Sequence, residues 1–405
     1  MEFTKEYNLI IVGKLDYPFG NAPSNRVHSY AKGLFEEGFQ TLVICTNPPF
    51  NKPTEFPDFG TFENIDYYYP TGLVKKKNEF LRKLWTFYSP FITVYNIHKI
   101  RKNSRKLTLY EYSTSFQQEF VYWAYCKFFG IPILLEAGEI PYYKHFKKNF
   151  SLTLKLLFFN KFRISLYDGI VVISDLLENY YLKHKRSRTR ILKIPILVDL
   201  ERFSKDKIME EHRSPRNSVV YVGDMQEEKD GLVYLIKAFK IFLEVAPDFN
   251  LILIGPTKKA KMDVLLDLIE ELNLQEKIQF TGEQSREIVA SLLLSASILV
   301  LSRPQTRQTD AGFPTKLGEY LATGKPVVVT RVGEIPLFLE DGRNAYLTEP
   351  ENHLEFAEKL KAVVINPDLS KKIGENGKIL AEKEFNYKTH GPRLYQFLMT
   401  FHVLK

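Results

Sequence analysis

Asp310-Ala311-Gly312-Phe313-Pro314-Thr315-Lys316-Leu317-Gly318-Glu319-Tyr320-Leu321-Ala322-Thr323-Gly324-Lys325-Pro326-Val327-Val328 carries the start and stop of a helix and runs straight into a strand. Pro314 suits a first helical turn, where its missing N–H would find no partner anyway, and Gly324 suits the stop, so the pattern predicts a helix over about 314–323. An aliphatic run at 298–301 precedes the segment and another at 326–329 ends it, giving strand, helix, strand. The alternation extends in both directions. Short β-branched or aliphatic runs recur at 9–12, 41–45, 107–110, 133–135 and 169–173, then at 218–222, 250–254 and 278–280. Amphipathic segments at 26–37, 232–245, 261–272 and 352–364 lie between them or after the last. Alternation of this length predicts an α/β protein with parallel sheets covered by helices on both faces.

The chain of 405 residues favours two domains, and 44% hydrophobic with 26% charged residues is an ordinary globular composition. The break is expected at 200–217, where Glu201-Arg202-Phe203 leads into a charged stretch with little apolar periodicity. The expected domains are 1–200 and 201–385, with a last helix at about 386–405 packing back on the first. Only Cys45 and Cys126 are present, which excludes a disulfide framework and a cysteine zinc site and favours a reducing compartment. No signal-peptide pattern precedes the first apolar run and no stretch of about 18 apolar residues occurs, so the expectation is a cytoplasmic protein without a membrane span. The eight histidines form no ligand-spaced pair, which argues against a metal.

Charge is unevenly spread. Residues 71–110 hold ten Lys and Arg against the single Glu79, and 141–200 hold twelve against Asp168, Asp175, Glu178 and Asp199, so with a formal charge of +8 the remainder is net acidic. In 75–106 the cations alternate with Phe80, Leu81, Leu84, Trp85, Phe87, Tyr88, Phe91 and Tyr95, and 144–161 repeats the mixture. This points to an anionic membrane surface as a partner of the first domain. The competing assignment turns the aromatics toward the core. No nucleic-acid module accompanies the charge, so nucleic acid is not an expected partner.

Ligands of parallel sheets bind at the carboxyl ends of strands. The run at 218–222 ends in Gly223, where a ligand can approach the backbone, and Lys229 lies just before a helix expected near Leu232, placed to reach a phosphate attracted by free N–H groups. On the helix at 314–323, Thr315, Lys316 and Glu319 share one face by their spacing, and a carboxylate there can accept both hydroxyls of a ribose. The bland alternatives are a solvated lysine and a Lys316–Glu319 surface pair.

The order Gly223…Lys229-x-Gly231, Ile254-Gly255-Pro256, Phe280-Thr281-Gly282, then Gly312-Phe313…Glu319-Tyr320-Leu321-Ala322-x-Gly324-Lys325-Pro326-Val327-Val328 resembles the family 4 glycosyltransferases. Tyr17-Pro18-x-Gly20-x-Ala22-x-Ser24-x-Arg26 and Ile194-Pro195-x-x-Val198-Asp199-Leu200-x-x-Phe203 extend the resemblance over nearly the whole chain. It implies the GT-B fold, two Rossmann-like domains facing a cleft, and retaining transfer of a sugar from a nucleotide-sugar, such as a UDP- or GDP-sugar, to an acceptor hydroxyl. The acceptor would be lipid-linked or a saccharide, in surface polysaccharide or glycolipid synthesis. No cofactor or metal is implied, and the Asp-x-Asp motif of the metal-dependent GT-A enzymes is missing from the sequence. By the same resemblance Lys229 would hold the diphosphate and Glu319 the ribose, with Gly223 at the strand exit. Gly282 and Glu283, within 282–285, would lie against the base. Gly312, Phe313 and Thr315 would offer backbone amides, and Gly20 would lie near the diphosphate.

The chain departs from the family pattern in places. Asp224 stands where an arginine is usual, and Lys316 is the residue expected to restore that charge. Ala311 replaces the first glutamate of a paired motif, and Asp310 is expected to supply the carboxylate if the loop bulges. Ile196-Leu197 replaces Asn-Gly between the domains, and the strand end at 135–141 holds carboxylates rather than histidine, with Glu139 the candidate beside the reacting carbon. Two other functions fit the same motifs: a non-catalytic nucleotide-sugar binder and a nucleotide-sugar epimerase.

Overall fold

The computed structural model describes residues 5–18, 22–47, 57–72, 79–112, 114–139, 160–256 and 259–402, with side chains described for all of these except 79–83 and 259–261. The chain divides into two compact units, Met1–Pro195 with Tyr387–Lys405, and Ile196–Asn386.

The first unit is built on β1 (Leu9–Gly13), α1 (Ala22–Glu36), β2 (Thr41–Cys45), β3 (Phe59–Phe62), β4 (Ile65–Tyr68), α2 (Glu79–Arg101), β5 (Thr108–Tyr112), α3 (Phe116–Phe129), β6 (Ile133–Ala137), β7 (Gly169–Val172), α4 (Asp175–His184) and β8 (Arg190–Lys193). Its sheet has the order β3-β4-β2-β1-β5-β6-β7-β8, parallel except for the β3–β4 hairpin. β1 and β2 are buried at every position, as unbroken aliphatic strands must be when helices cover both faces. The hairpin turns on Glu63 and Asn64, both at positive φ, a two-residue turn that no glycine announces.

The buried Arg26 of α1 ties this unit together. Its Nε donates to Glu136 of β6 at 2.6 Å and its Nη atoms donate to the carbonyls of Pro195 and Ile194 at 2.6 and 2.9 Å. Glu136 also accepts from the hydroxyls of Tyr30 and Tyr110. The carboxylate is thereby surrounded by donors, which offsets the cost of burying it.

The second unit contains β9 (Ser218–Val222), α5 (Glu227–Asp230), α6 (Leu232–Phe242), β10 (Asn250–Ile254), α7 (Lys259–Glu271), β11 (Ile278–Gly282), α8 (Arg286–Ser295), β12 (Ile298–Leu301), α9 (Arg307–Ala311), α10 (Thr315–Ala322), β13 (Val327–Thr330), α11 (Ile335–Phe338), β14 (Tyr346–Thr348), α12 (His353–Ile365) and α13 (Pro367–Glu384). Its sheet is wholly parallel, in the order β11-β10-β9-β12-β13-β14. The last helix, α14 (Tyr387–Met399), belongs to the first unit, where Tyr395 meets Phe39 edge-on at 5.0 Å and the Tyr387 hydroxyl donates to Glu36.

The boundary differs from the expected break at 200–217. The chain passes between units at Pro195 and Ile196, and the charged stretch is part of the second unit. It lacks apolar periodicity because it is a chain of 3₁₀ turns held by polar bonds: the Met209 N–H donates to Ser291 at 2.8 Å, the Ser214 N–H to Ser295 at 2.8 Å, and the Ser214 hydroxyl to the Leu292 carbonyl at 2.8 Å.

Candidate functional site

Three neighbouring strands of the second unit, β11, β10 and β9, end in step. The Gly223 N–H donates to the Ile254 carbonyl and the Gly255 N–H to the Gly282 carbonyl, each at 2.9 Å. Tyr320 of α10 locks that helix against the same edge, its hydroxyl accepting from the Val222 N–H at 2.7 Å. The first turn of α10 thus stands beside Gly223.

Lys316, in that turn, crosses Gly223. A β-carbon at 223 would lie 2.2 Å from the Lys316 Nζ and 2.1 Å from the Tyr221 hydroxyl, so any side chain there would displace the amine from its present place. Nζ donates to Asp230 at 2.9 Å and to the Tyr221 hydroxyl at 3.2 Å, and lies 4.6 Å above the Tyr221 ring. Asp230 is held in place by the Gln226 N–H at 3.0 Å, and the turn behind it by Gly231, whose φ of +63° suits glycine and whose missing side chain leaves room for the Ser302 carbonyl.

Lys316 lies among other charges, with Asp230 as its bonded counter-ion. Burial pushes the Lys316 ammonium down, Asp230 offsets this only in part, and Arg303 and Lys229 push it further down. Burial raises the Asp230 carboxyl, but the Lys316 ammonium and the bonds from Tyr221 and Gln226 outweigh it and leave it below the ordinary carboxylate range. Lys229 is half-buried in the single turn α5, and Arg303, two residues past β12, is buried. Lys316, Lys229 and Arg303 therefore act on one another where the strands end, with Asp230 bonded to Lys316 and with Asp224 and Glu227 also within electrostatic reach of this group, a mixed field in which a polyanion would meet several cations.

Glu319 lies one turn further along α10. Arg202 Nη1 donates to its carboxylate at 3.0 Å, and Nη2 of the same arginine donates to the Arg286 carbonyl at 3.3 Å. Lys316 and Glu319 are thus each engaged by a distant partner rather than by one another.

Several expectations need correction. The helix α6 begins at Leu232, but its first amides are not open to phosphate, because the Glu227 carboxylate accepts from the Val233 N–H at 3.1 Å. The loop expected to bulge at Asp310 is instead the short helix α9, its turns closed by the Asp310 N–H to Thr306 and the Gly312 N–H to Gln308. Side chains on such a turn are about 100° apart, so Asp310 does not take the direction of Ala311, which is buried. The Gly312 amide is consumed by that helix. Phe313, expected to offer its backbone amide, turns its ring into the core, stacked on Phe338 at 5.2 Å, which leaves that expectation as it stood.

The other predicted positions are simply placed. Gly282 and Glu283 are exposed at the end of β11, Thr315 is the half-buried first residue of α10, and Glu139 is exposed beyond β6 in the first unit. Asp224 is exposed beside Gln226. Gly20 lies outside the described residues, as do 144–159 and 73–78. Asp230, Arg202 and Arg303 were not among the predicted residues. For Arg303 a signal existed, a cation immediately beyond the aliphatic run of a central strand.

Residues 204–379 match the family model of glycosyl transferases group 1. Among curated proteins the chain is 30% identical over 231 residues to an uncharacterized glycosyltransferase of Methanocaldococcus jannaschii, covering 57% of this chain and 59% of that protein. The chain spans less than two thirds of the length of the curated relatives it matches, 59% here and 37% for another. Among solved structures, sucrose-phosphate synthase from Thermosynechococcus elongatus superposes with a TM-score of 0.76 at 16% identity, covering 99% of this chain and 100% of that one. Anabaena HepE in complex with UDP and glucose superposes with a TM-score of 0.71 at 16% identity, covering 97% and 100%. The fold is that of these proteins, two parallel-sheet α/β domains of the GT-B type.

Proposed function

We propose that this chain is a retaining glycosyltransferase that moves a sugar from a UDP- or GDP-sugar to a lipid-linked or saccharide acceptor, without a metal ion, in the building of a surface polysaccharide or glycolipid. The observation that carries the reading is the set Lys229, Arg303 and Lys316 gathered beside Gly223, with Glu319 one turn away on α10. In this reading the diphosphate lies over Gly223 against the three cations. The ribose diol is accepted by Glu319, which Arg202 orients, and the base lies along 282–285. As the bond between sugar and diphosphate breaks, charge grows on the leaving phosphate. Fixed ammonium groups stabilise it there with little reorganisation, and the acceptor hydroxyl attacks from the same face. That HepE, of the same fold, was solved in complex with UDP and glucose supports a nucleotide-sugar as the donor. Glu139 is the acidic group this reading assigns to the first unit, and the cytoplasm is the compartment.

A second reading, a non-catalytic nucleotide-sugar binder, is favoured by Ala311 and Asp224, which leave two polar contacts of the family pattern unfilled. Incubation with a panel of UDP- and GDP-sugars separates the two. Nucleotide release that rises with acceptor, survives chelator and gives a product of unchanged anomeric configuration is expected. Binding without release would establish the binder, and an epimerised sugar would establish the third function.

A further inference from the structure

The helix α2 is amphipathic in the reverse sense. The positions it turns inward are Ser89, Thr93 and Asn96 along with Ile97 and Ile100, all buried. Its outward stripe is Leu84, Phe87, Tyr88, Phe91 and Tyr95, and the last four are 50–60% exposed. At about 100° per residue these five fall within one stripe roughly 100° wide, opposite the buried positions. The neighbouring α3, joined to α2 by a bond from Gln117 to the Phe87 carbonyl, adds Phe120 and Phe128, the latter 82% exposed. Single exposed apolar residues are ordinary, but an aromatic stripe along one helix with further exposed aromatics on the helix packed beside it marks a contact surface.

Charge identifies what the surface meets. The last turn of α2 holds His98, Lys99 and Arg101, and Lys102, Arg105 and Lys106 follow. The Lys99 ammonium rests over the Tyr95 ring at 4.5 Å, so cation and aromatic stripe adjoin. Aromatics on one line with lysines at its margin are the pattern of a segment lying in the headgroup region of an anionic bilayer. A second copy is disfavoured, because pairing two such faces would oppose like charges. No helix among the described residues is long and apolar enough to cross a membrane, so contact would be from one side.

We infer that the α2–α3 face docks the first unit on an anionic lipid surface, Phe87, Phe91 and Tyr95 entering the interface and the cations at the end of α2 meeting lipid phosphates. The inference deepens the reading of a lipid-linked acceptor and rests on it, but its test uses neither donor nor acceptor. The two tryptophans of the chain, Trp85 and Trp123, lie on α2 and α3 and serve as reporters. The full chain is sedimented with vesicles of phosphatidylcholine alone or with phosphatidylglycerol, at low and high salt, and its fluorescence is followed with brominated lipids. Binding to anionic vesicles at least tenfold tighter than to neutral ones, weakened by salt, with quenched tryptophan emission, is expected. The variant Phe87→Ser/Phe91→Ser/Tyr95→Ser changes exposed side chains only. It should keep its melting temperature and its acceptor-stimulated nucleotide release with a water-soluble acceptor, and lose at least tenfold in vesicle affinity. Absence of binding at low salt, undiminished binding by the triple variant, or a wild-type dimer that this variant converts to monomer would overturn the inference. Loss of nucleotide release with vesicle binding intact would instead count against the enzyme reading alone.

Discussion

Lys316 and Asp230 allow stability and donor binding to be separated within one pair. The Lys316 side chain is 18% exposed and that of Asp230 only 2%, with 2.9 Å between charges. Lys316→Ala strands the Asp230 carboxylate among buried groups, and breaking a buried pair from one side costs about 3–5 kcal/mol. In a unit of this size each kcal/mol lowers the melting temperature by roughly 2–4 °C, so the expected fall is roughly 6–20 °C. Adding Asp230→Asn removes the stranded charge, and the double variant should recover a large part of that loss. Nucleotide affinity should not recover. The ammonium is proposed to meet the diphosphate, and one charge-assisted contact is worth about 1.5–3 kcal/mol, a loss of about 10- to 150-fold that both variants should share. Thermal denaturation and titration calorimetry with UDP and GDP measure the two quantities on the same samples. A double variant as unstable as Lys316→Ala would refute the buried-pair argument, and one that binds nucleotide like the wild type would remove Lys316 from the phosphate site.

Three further expectations follow from particular contacts. Glu319→Ala should lower kcat/KM by about 10- to 150-fold, and a donor lacking the ribose hydroxyls should show little further loss in that variant, as steady-state kinetics with both donors will reveal. Burial, and then repulsion from Glu119, push the Glu111 carboxyl up from 4.5 to about 8, so the folded state keeps a proton that the unfolded chain gives up. That contribution is complete below about pH 4.5 and is lost as pH rises through about 8. Melting temperatures between pH 5 and 9 should therefore fall less steeply for Glu111→Gln than for the wild type. Arg26→Ala should destabilise the first unit by about 3–5 kcal/mol by leaving Glu136 buried without its cation, while Arg26→Ala/Glu136→Gln should lose less; denaturant titration of both decides it.

Where structure follows from contiguous residues, the sequence was readable. The central strands at 218–222, 250–254 and 298–301 are runs rich in aliphatic residues and are found at those bounds. Pro314 and Gly324 do bracket α10. The edge strands of the first sheet were not legible: β3 is largely half-exposed with mixed polarity, and β8 carries two cations in four residues. At the site, Lys229, Lys316 and Glu319 stood out through their place in motifs. Their partners did not, because Asp230 is 86 residues from Lys316 and Arg202 is 117 from Glu319, and only the folded sheet brings them together.

The helix α2 shows a different limit. Residues 84, 87, 88, 91 and 95 repeat at helical spacing, which ordinarily identifies the side facing the core, yet 89, 93 and 96 repeat at the same spacing on the opposite side. Periodicity fixes the line dividing the two faces and leaves open which of them is buried. Burying the polar face costs little here because its groups find hydrogen-bond partners. The Thr93 hydroxyl donates to the Ser89 carbonyl at 2.9 Å and the Asn96 amide to the Ile92 carbonyl at 2.8 Å, while the Ser89 hydroxyl donates to the Thr46 carbonyl at 3.4 Å. With its polar side satisfied by its own backbone and by Thr46, and with Tyr122 against Thr93, the helix can face the body of the unit with serine, threonine and asparagine. The aromatic side is then presented outward, where only an apolar phase would remove it from water.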